Sequence, residues 1–274
     1  MKTLFSFLIL SLFLSPHYVS SAEKDKLVFG VHPFKSPAKL HSMFRPVLND
    51  LSRLLGKDIV FTSGKSYEHV LNRYRNGEID FGYLGPAAFV SAHRELGLVP
   101  LVRIMPNGIG SFRGVIVVRE DSPIQTISQL KGKKFAFGDA NSTLSHYVPR
   151  YMLKAESILL DDLAFHAFTG KHDNVARGVL FGKFDAGGLK PSVAKQYLDK
   201  GLRILATSDA IAEHLFVANN QMSDSGIKIL KKALFNVEIG RLKSIKSNIT
   251  GLEEAHISDY RKIKKIIEDI DKDM

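Results

Sequence analysis

The chain has 274 residues, contains no cysteine and carries a formal net charge of +10 at pH 7. The lack of cysteine excludes disulfide bonds, thiolate metal sites and a cysteine nucleophile, so the burial of apolar side chains must stabilise the fold. A basic chain can bind nucleic acid, an anionic surface or an anionic ligand, but the Lys and Arg residues here are spread along the sequence, which argues against nucleic acid.

Residues 1–22 have the pattern of a secretory signal peptide. A lysine precedes an apolar run at residues 4–14, and small residues end at Ala22, where a signal peptidase would cleave. The run is too short to span a bilayer as a helix, and no later stretch reaches the length of a transmembrane segment. We therefore expect a soluble mature chain that begins near Glu23.

Beyond the signal, apolar runs of strand length alternate with amphipathic helical patterns. This alternation indicates an α/β fold with mixed, mostly parallel sheets and helices on both faces. Gly56 follows the first helix as a terminating glycine, and Pro86 stands near the first turn of the third helix. The predicted strands are residues 26–30, 58–62 and 79–84, and the predicted helices are residues 40–55, 66–76 and 86–96.

A pattern in the first half of the chain recurs in the second half. Five residues return in the same order and with the same spacing, which indicates two copies of one supersecondary unit. Each copy contains three strands separated by polar turns and helices, so we expect two similar lobes. The matched residues are Gly77, Asp80, Gly82, Leu84 and Pro86 in the first copy and Gly182, Asp185, Gly187, Leu189 and Pro191 in the second.

The repeat also predicts the domain organisation that follows the signal peptide. Lobe one comprises residues 27–115 together with residues 209–274, and lobe two comprises residues 118–207. Two extended apolar segments, residues 114–119 and 202–208, are the candidates for the connections between the lobes. A chain that crosses twice forms a hinge, so we expect two lobes that move about a two-segment hinge.

Residues 135–152 contain the clearest functional pattern. A short apolar strand is followed by a polar turn and by Ser142, Thr143 and Ser145, which stand where a helix would begin. Ser and Thr side chains cap the first unpaired N–H groups of a helix, and the positive end of the helix dipole favours an anion. The pattern therefore predicts an oxyanion site, with an ordinary capped helix as the alternative.

The polar turns that follow the predicted strands define a cleft. In an open α/β sheet, ligands bind beyond the carboxyl ends of the strands. If the two lobes face each other, six turns surround one site. These turns are residues 32–36, 64–67 and 83–86 in lobe one and residues 139–145, 170–172 and 190–192 in lobe two.

Several segments occur in a characteristic order along almost the whole mature chain: GVHPF at 30–34, NGEIDFGYLGPAAF at 76–89, GDANST at 138–143 and GKHDNVARGVLF at 170–181. Together they resemble the phosphate-, phosphite- and phosphonate-binding proteins of bacterial ABC importers. The resemblance implies a periplasmic protein with a two-lobed, type II-like binding-protein fold. Such a protein closes on a small oxyanion and presents it to a permease in the inner membrane. We further expect a monomer without a cofactor, a metal or a catalytic residue.

The resemblance also implies which residues contact the ligand. The helix start at Ser142 and Thr143 would hold the phosphonyl oxygens, helped by Tyr67 and Tyr83 of lobe one and by His172 of lobe two. His172 suits this role because an imidazole N–H is a good donor to an oxyanion. For the two tyrosines, a role as core or rim aromatic side chains is the alternative.

This sequence departs from the family pattern around the expected site. The family commonly has Ser-Thr-Ser-Gly where this chain has Ser-Thr-Leu-Ser, so we expect the backbone N–H of Leu144 and the hydroxyl of Ser145 to contribute. Binders of aminoalkylphosphonates place carboxylates after the third strand of lobe two and after the return hinge. This chain has Lys190 at the first place and Glu213 at the second. A lysine would repel an ammonium and attract a second anionic group, so an aminophosphonate ligand is not expected.

A hydrolase and a periplasmic ligand sensor are the alternatives to a binding protein for transport. A hydrolase would need a nucleophile and a base, such as Ser142 with His146, but the chain lacks a Gly-x-Ser-x-Gly elbow and a clear orienting carboxylate. His32, His146 and His214 match no metal motif and are expected at the surface or in internal hydrogen bonds. A periplasmic ligand sensor that docks on a signalling receptor would use the same lobes, and the sequence leaves this alternative open.

Overall fold

This computed structural model describes residues 26–272. The strands within these residues form three β-sheets. Most strands are rich in Val, Ile and Phe, which suit a buried pleated surface. The strands are β1 (Lys26–Val31), β2 (Asp58–Ser63), β3 (Phe81–Leu84), β4 (Val99–Pro106), β5 (Ser111–Phe112), β6 (Val115–Arg119), β7 (Lys134–Phe137), β8 (Phe165–Phe168), β9 (Ala186–Leu189), β10 (Leu202–Thr207), β11 (Ile211–Ala212), β12 (Leu215–Ala218) and β13 (Ile249–Glu254).

The helices lie between the strands and bury their apolar sides. The first helix ends at Gly56, whose φ of 63° is a left-handed conformation that glycine adopts readily. The third helix begins at Pro86, as predicted. No helix within residues 26–272 is both long enough and apolar enough to cross a membrane. The helices are α1 (Pro37–Leu55), α2 (Tyr67–Arg75), α3 (Pro86–Leu96), α4 (Val148–Ala155), α5 (His172–Leu180), α6 (Pro191–Leu198), α7 (Asp224–Phe235), α8 (Ile239–Leu242) and α9 (Arg261–Asp271).

The two large sheets belong to different lobes. The first lobe contains the sheet with strand order β13-β4-β12-β3-β1-β2, and the second lobe contains the sheet with order β10-β6-β9-β7-β8. Parallel pairing is confined to the repeated strands, where β1 pairs with β2 and β3, and β7 pairs with β8 and β9. The remaining pairs are antiparallel. The two-lobed α/β fold with mixed sheets is confirmed, but the sheets are less parallel than predicted because the strands outside the repeat return antiparallel.

The chain passes between the lobes at a small two-stranded sheet. β5 pairs with β11 in antiparallel register, with Phe112 opposite Ile211. The segments predicted as connections lie elsewhere, because β6 and β10 pair with each other inside the second lobe, with Val118 opposite Arg203. Both segments are apolar enough to be buried in a sheet, so the crossings fall in the short segments beside them.

The repeated aspartates have the same structural role in both lobes. Asp80 Oδ2 accepts a hydrogen bond from Val28 N at 2.7 Å, and Asp185 Oδ2 accepts one from Lys134 N at 2.7 Å. Each carboxylate precedes the third strand of its copy and holds the beginning of the first strand. The sequence repeat therefore corresponds to a repeated hydrogen bond.

The repeated glycines let a helix pack directly on the third strand. A Cβ added at Gly82 would lie 2.2 Å from the hydroxyl oxygen of Tyr74 in α2, and one added at Gly187 would lie 2.5 Å from Val175 Cγ1 in α5. Only a residue without a Cβ allows this approach. The two copies thus keep the same packing of helix on sheet.

One apolar cluster joins the lobes beside the cleft. Leu144, Tyr147 and Val148 from the second lobe belong to the same buried cluster as residues of α3 and α9 from the first lobe. Lys154 Nζ of α4 donates to the backbone carbonyl of Asp269 in α9 at 2.9 Å. The lobes are therefore in contact along this side of the cleft.

Candidate ligand-binding site

A cavity of about 480 Å³ lies between the lobes, where the parallel strands of both sheets end. Its volume falls within the roughly 300–1,000 Å³ that is typical of small-molecule sites. Each of the six polar turns that were expected to surround the cleft contributes at least one lining residue. These lining residues include His32, Tyr67, Gly85, Asn141, His172 and Lys190.

Ser145 is the one predicted contact residue that does not line the cavity. Its backbone carbonyl accepts from Gly138 N at 2.8 Å. Its hydroxyl is buried against Gly138 and has no hydrogen-bond partner among the described residues. The structure therefore places the Ser145 hydroxyl behind the cavity wall and not in its lining. The predicted residues that do line the cavity are Tyr67, Tyr83, Ser142, Thr143, Leu144, His172 and Lys190.

The predicted helix start begins with a wider turn than an α-helix. Residues Thr143–Tyr147 form a π-helical turn before α4, and Tyr147 N donates to Ser142 O at 3.2 Å. Pro149 has no N–H and cannot donate to the Ser145 carbonyl, which an uninterrupted α-helix would require. The carbonyl is satisfied from outside the helix instead, so the first turn can widen.

Thr143 links the two lobes across the cavity. Its Oγ1 accepts from Ala87 N at 2.9 Å. Ala87 lies in the first turn of α3, so its N–H has no acceptor within its own helix. Ser142 Oγ accepts from Ser145 N at 3.3 Å and caps the π-helical turn. Sequence reasoning identified the helix start of the second lobe, but not that α3 of the first lobe begins at the same place.

His172 and Lys190 lie together on neighbouring turns of the second lobe. His172 Nδ1 accepts from Lys190 N at 3.3 Å, so the ring proton is on Nε2 when the imidazole is neutral. Desolvation in the cleft, together with the charge of Lys190, lowers the pKa of His172 to about 3. The ring is therefore a neutral donor at physiological pH.

Lys190 carries its charge in a desolvated part of the cleft. Its Nζ lies 5.7 Å from the centroid of the Phe34 ring, within the range of a cation–π contact. Burial, and then the charge of Lys35, lowers the pKa of Lys190 to about 8. An anion bound nearby would reverse this effect.

His32 is a cavity residue that sequence reasoning missed. It is buried, its ring lies 4.3 Å from the ring of Tyr67, and its Nδ1 has no hydrogen-bond partner among the described residues. Burial, followed by the nearby charges of His214 and Lys190, holds the pKa of His32 well below its usual value. Its position directly after β1, at the carboxyl end of a parallel strand, is the signal that could have identified it.

The two predicted tyrosines are both buried at the cavity. Burial, and then the charge of Asp139, raises the pKa of Tyr67, so its hydroxyl is a neutral donor. The Tyr83 ring stacks on His214 with centroids 5.5 Å apart and an interplanar angle of 14°. Tyr83 also belongs to the apolar core of the first lobe, so its ring has both a core and a cavity contact.

Glu213 is, like His32, a cavity residue whose role the sequence did not explain. Its Oε1 lies 2.7 Å from His214 Nδ1, and its Oε2 lies 2.7 Å from Lys246 Nζ. Burial by itself would raise the pKa of Glu213, but the hydrogen bonds and charges of these two partners outweigh burial and lower the pKa to about 2. Glu213 is therefore a paired carboxylate at the cavity wall.

The charges that line the cavity are mostly positive. Lys35, Arg113, Lys190 and Lys246 line it, whereas Glu213 is the one carboxylate among the described lining residues. Within residues 26–272, His, Asp and Glu side chains form no group that could hold a metal ion. A cavity with this charge balance attracts anions.

Two α/β lobes, a chain that crosses between them twice and a polar cavity at the crossing define the class of two-lobed solute-binding proteins. A family profile described as "ABC transporter, phosphonate, periplasmic substrate-binding protein" matches residues 29–260. The chain belongs to this family of periplasmic substrate-binding proteins. It is thus a binding component of a transporter and not an enzyme.

Two relatives and one solved structure are similar to this protein over most of the chain. A phosphate-import protein, PhnD, of Mycolicibacterium smegmatis is 26% identical over 225 residues, which cover 76% of this chain and 70% of the relative. A probable ABC transporter phosphite-binding protein, PhnD1, of Prochlorococcus marinus is 24% identical over an alignment of 292 positions. This alignment covers 95% of this chain and 94% of the relative. The structure of PhnD1 with methylphosphonate superposes with a TM-score of 0.80 at 22% identity, covering 90% of this chain and 99% of that one.

These similarities bear on the functional classes that the sequence left open. They support the binding component of an ABC importer and lend no support to a receptor-docking sensor. The predicted signal peptide, residues 1–22, lies outside the described residues 26–272. The periplasmic assignment therefore comes from the family.

Proposed function

We propose that the cavity binds a small oxyanion of the phosphonate, phosphite or phosphate type and that the protein delivers it to an ABC permease. The observation that carries this proposal is a set of polar groups at the cavity that have no acceptor among the described residues. They are the Thr143 hydroxyl proton and the Nε2–H of His172, beside the His32 Nδ1, which has no hydrogen-bond partner. Such donors, next to lysines in a desolvated cleft, favour an oxyanion.

Closure of the lobes would complete the site. Thr143 and Ala87 belong to different lobes, so their hydrogen bond forms only when the lobes approach each other. A ligand held between Tyr67 of the first lobe and His172 of the second adds contacts that exist only in the closed form. Binding then shifts the equilibrium towards closure, and the permease receives a closed, liganded protein.

The protein is proposed to act as a monomer in the periplasm. Turns from both lobes of the same chain enclose the cavity, which supports a site formed within one copy. The family supports the periplasmic location. Size-exclusion chromatography with light scattering checks the monomer directly.

A ligand screen on the purified protein tests the proposed function. The probes are phosphate, phosphite and methylphosphonate, with sulfate as a matched oxyanion without phosphorus. A probe present at about a hundred times its Kd should stabilise the protein by about 2.7 kcal/mol, which a thermal shift detects readily. Calorimetry then gives the Kd, and small-angle scattering should show compaction. If none of the phosphorus oxyanions binds, the proposed function is contradicted.

A further inference from the structure

Two lysines at the cavity have no carboxylate of the described residues at ion-pair distance, and Asp173 and Glu213 act on Lys190 only from farther away. Lys190 Nζ lies against the Phe34 ring at 5.7 Å from its centroid, and Lys35 follows Phe34 in the chain. Neither lysine forms an ion pair with a carboxylate within residues 26–272, in contrast to Lys246, which pairs with Glu213. Holding the unpaired ammonium of Lys190 in a desolvated part of the cleft, close to a second lysine, is unfavourable unless an anion joins them.

The carboxylate at the cavity wall is not available to a cationic ligand group. Glu213 is only 1% exposed, and both of its oxygens are occupied, by His214 Nδ1 and by Lys246 Nζ at 2.7 Å each. A ligand ammonium could approach Glu213 only by displacing one of these partners and leaving it unpaired. The cavity therefore offers free cations without a free anion.

We infer that the ligand carries a second acidic group, a carboxylate or a second phosphoryl group, which Lys190 and Lys35 bind while Ser142 and Thr143 hold the phosphonate-type oxyanion. This inference rests on the proposed function and specifies its substrate class. The ligand is then a small organic phosphonate or phosphate with an acidic group at each end. An ammonium at the second end is disfavoured by the same lysines.

The fold brings the turns that carry the two binding groups next to each other. Ser142 follows β7 and Lys190 follows β9, and these strands are adjacent and parallel, so their turns lie side by side at one edge of the sheet. Neighbouring strands are about 4.8 Å apart, which suits a ligand whose acidic groups are joined by a short linker. A bare phosphate would occupy one end of the 480 Å³ cavity and leave the lysines without a counterion.

Isothermal titration with phosphonates that differ at one end tests this inference. At the end away from the phosphonate, phosphonopropionate carries a carboxylate, propylphosphonate carries a methyl group and aminoethylphosphonate carries an ammonium. Pyrophosphate is the probe that carries a second phosphoryl group. We expect phosphonopropionate or pyrophosphate to bind about ten- to a hundredfold more tightly than propylphosphonate. Aminoethylphosphonate should bind most weakly. The larger gain identifies the second group as carboxylate or phosphoryl.

A pair of lysine variants assigns the preference to the cavity. Lys190→Met should reduce the ratio of affinities between phosphonopropionate and propylphosphonate towards one. Lys195→Met is the matched control, because Lys195 is exposed on α6 outside the cavity and its replacement removes the same formal charge. This control should keep the wild-type ratio.

Three outcomes separate the inference from the proposed function. Equal affinity for phosphonopropionate, pyrophosphate and propylphosphonate, or tightest binding of aminoethylphosphonate, overturns the inference and leaves the proposed function intact. An equal loss of preference in Lys190→Met and Lys195→Met assigns the preference to overall charge and also overturns it. Failure of every probe to bind, with methylphosphonate and phosphate included, contradicts the proposed function itself.

Discussion

Two turns occupy equivalent places in the two lobes but differ in what they contribute. Gly85 precedes α3 and Lys190 precedes α6, and each is followed by a proline at the start of its helix. A Cβ added at Gly85 would lie 3.4 Å from His214 Nε2 and 3.7 Å from Thr143 Oγ1, so glycine leaves room for the second lobe. Lys190 instead places a cation in the cavity. The duplicated backbone thus places both turns at the cavity. The absence of a side chain at Gly85 leaves room for the lobes to close, whereas the side chain of Lys190 supplies a charge for binding the ligand.

A second equivalent pair shows a similar division. Tyr67 begins α2 and His172 begins α5. The Tyr67 ring lies tilted against the His32 ring with centroids 4.3 Å apart, whereas His172 accepts from the backbone N–H of Lys190. At this pair of positions the first lobe therefore contributes an aromatic ring, and the second lobe contributes an oriented donor.

Replacing Gly85, which precedes α3, with the lysine that stands at the equivalent place before α6 should have the largest effect on ligand affinity. Gly85 has φ −76° and ψ 158°, an ordinary extended conformation, so Gly85→Lys should fold normally. Its side chain needs the space between His214 and Thr143, so the lobes should not close and affinity for methylphosphonate should fall more than about a hundredfold. Calorimetry and small-angle scattering measure the two effects.

Gly85→Ala is the matched control for this variant. Its single methyl group makes a contact at 3.4 Å that a small shift can relieve, so its affinity should remain within about tenfold of wild type. Wild-type affinity and compaction in Gly85→Lys would show that the turn does not govern closure.

Removing the hydroxyl that joins the lobes should have the next largest effect. Thr143→Ala loses the acceptor for Ala87 N and a donor to the ligand, so affinity should fall about ten- to a hundredfold. Thr143→Asp should bind more weakly still, because it places a carboxylate beside the anion, although a helix start tolerates Asp. Ser145→Ala is the control and should bind as wild type, since its hydroxyl does not reach the cavity. Tight binding by Thr143→Asp would place the anion elsewhere.

Variants of the repeated aspartates should change stability and leave the site unaffected. Asp80→Ala leaves the partly buried strand amide of Val28 without its acceptor and should cost about 1–3 kcal/mol of unfolding free energy. Asp185→Ala should cost less, because Lys134 N lies at a more exposed place. Urea unfolding measures both, and the affinity of the folded protein should be unchanged. A larger loss in Asp185→Ala would contradict the greater role assigned to the buried lobe-one contact.

The pH dependence of binding should be the smallest effect. The free protein holds Lys190 with a pKa of about 8, and a bound anion favours the protonated form, so binding takes up a proton above that pH. Affinity should therefore be constant below about pH 7 and fall up to about tenfold as the pH rises through the pKa to about 9. Lys190→Met, titrated with the same ligand, shows the pH dependence that comes from ionisation of the ligand alone. Its affinity should lack the fall around pH 8 that Lys190 causes. Identical profiles for the two proteins would rule out Lys190 as the titrating group.

Much of the candidate site could be predicted because its residues follow strands whose ends are visible in the sequence. Tyr67, Thr143 and His172 stand at such ends, and all three line the cavity. His32 stands at an equivalent place but was not selected, since a lone histidine carries no local sign of burial. The pairing of Glu213 with Lys246 had no sequence signal, because the two residues come together only through the return of the chain to the first lobe.

The sequence by itself determined the alternation of strands and helices, the internal repeat and the family, because these depend on local patterning and on the order of segments. The limits of α3 and the glycine end of α1 follow from such local chemistry. The tertiary structure alone decided where the lobes cross, that Gly138 N satisfies the Ser145 carbonyl within the widened turn, and that Thr143 meets Ala87. Hydrogen bonds and ion pairs between distant segments depend on separations of about 3 Å, which packing sets and no pattern along the chain encodes.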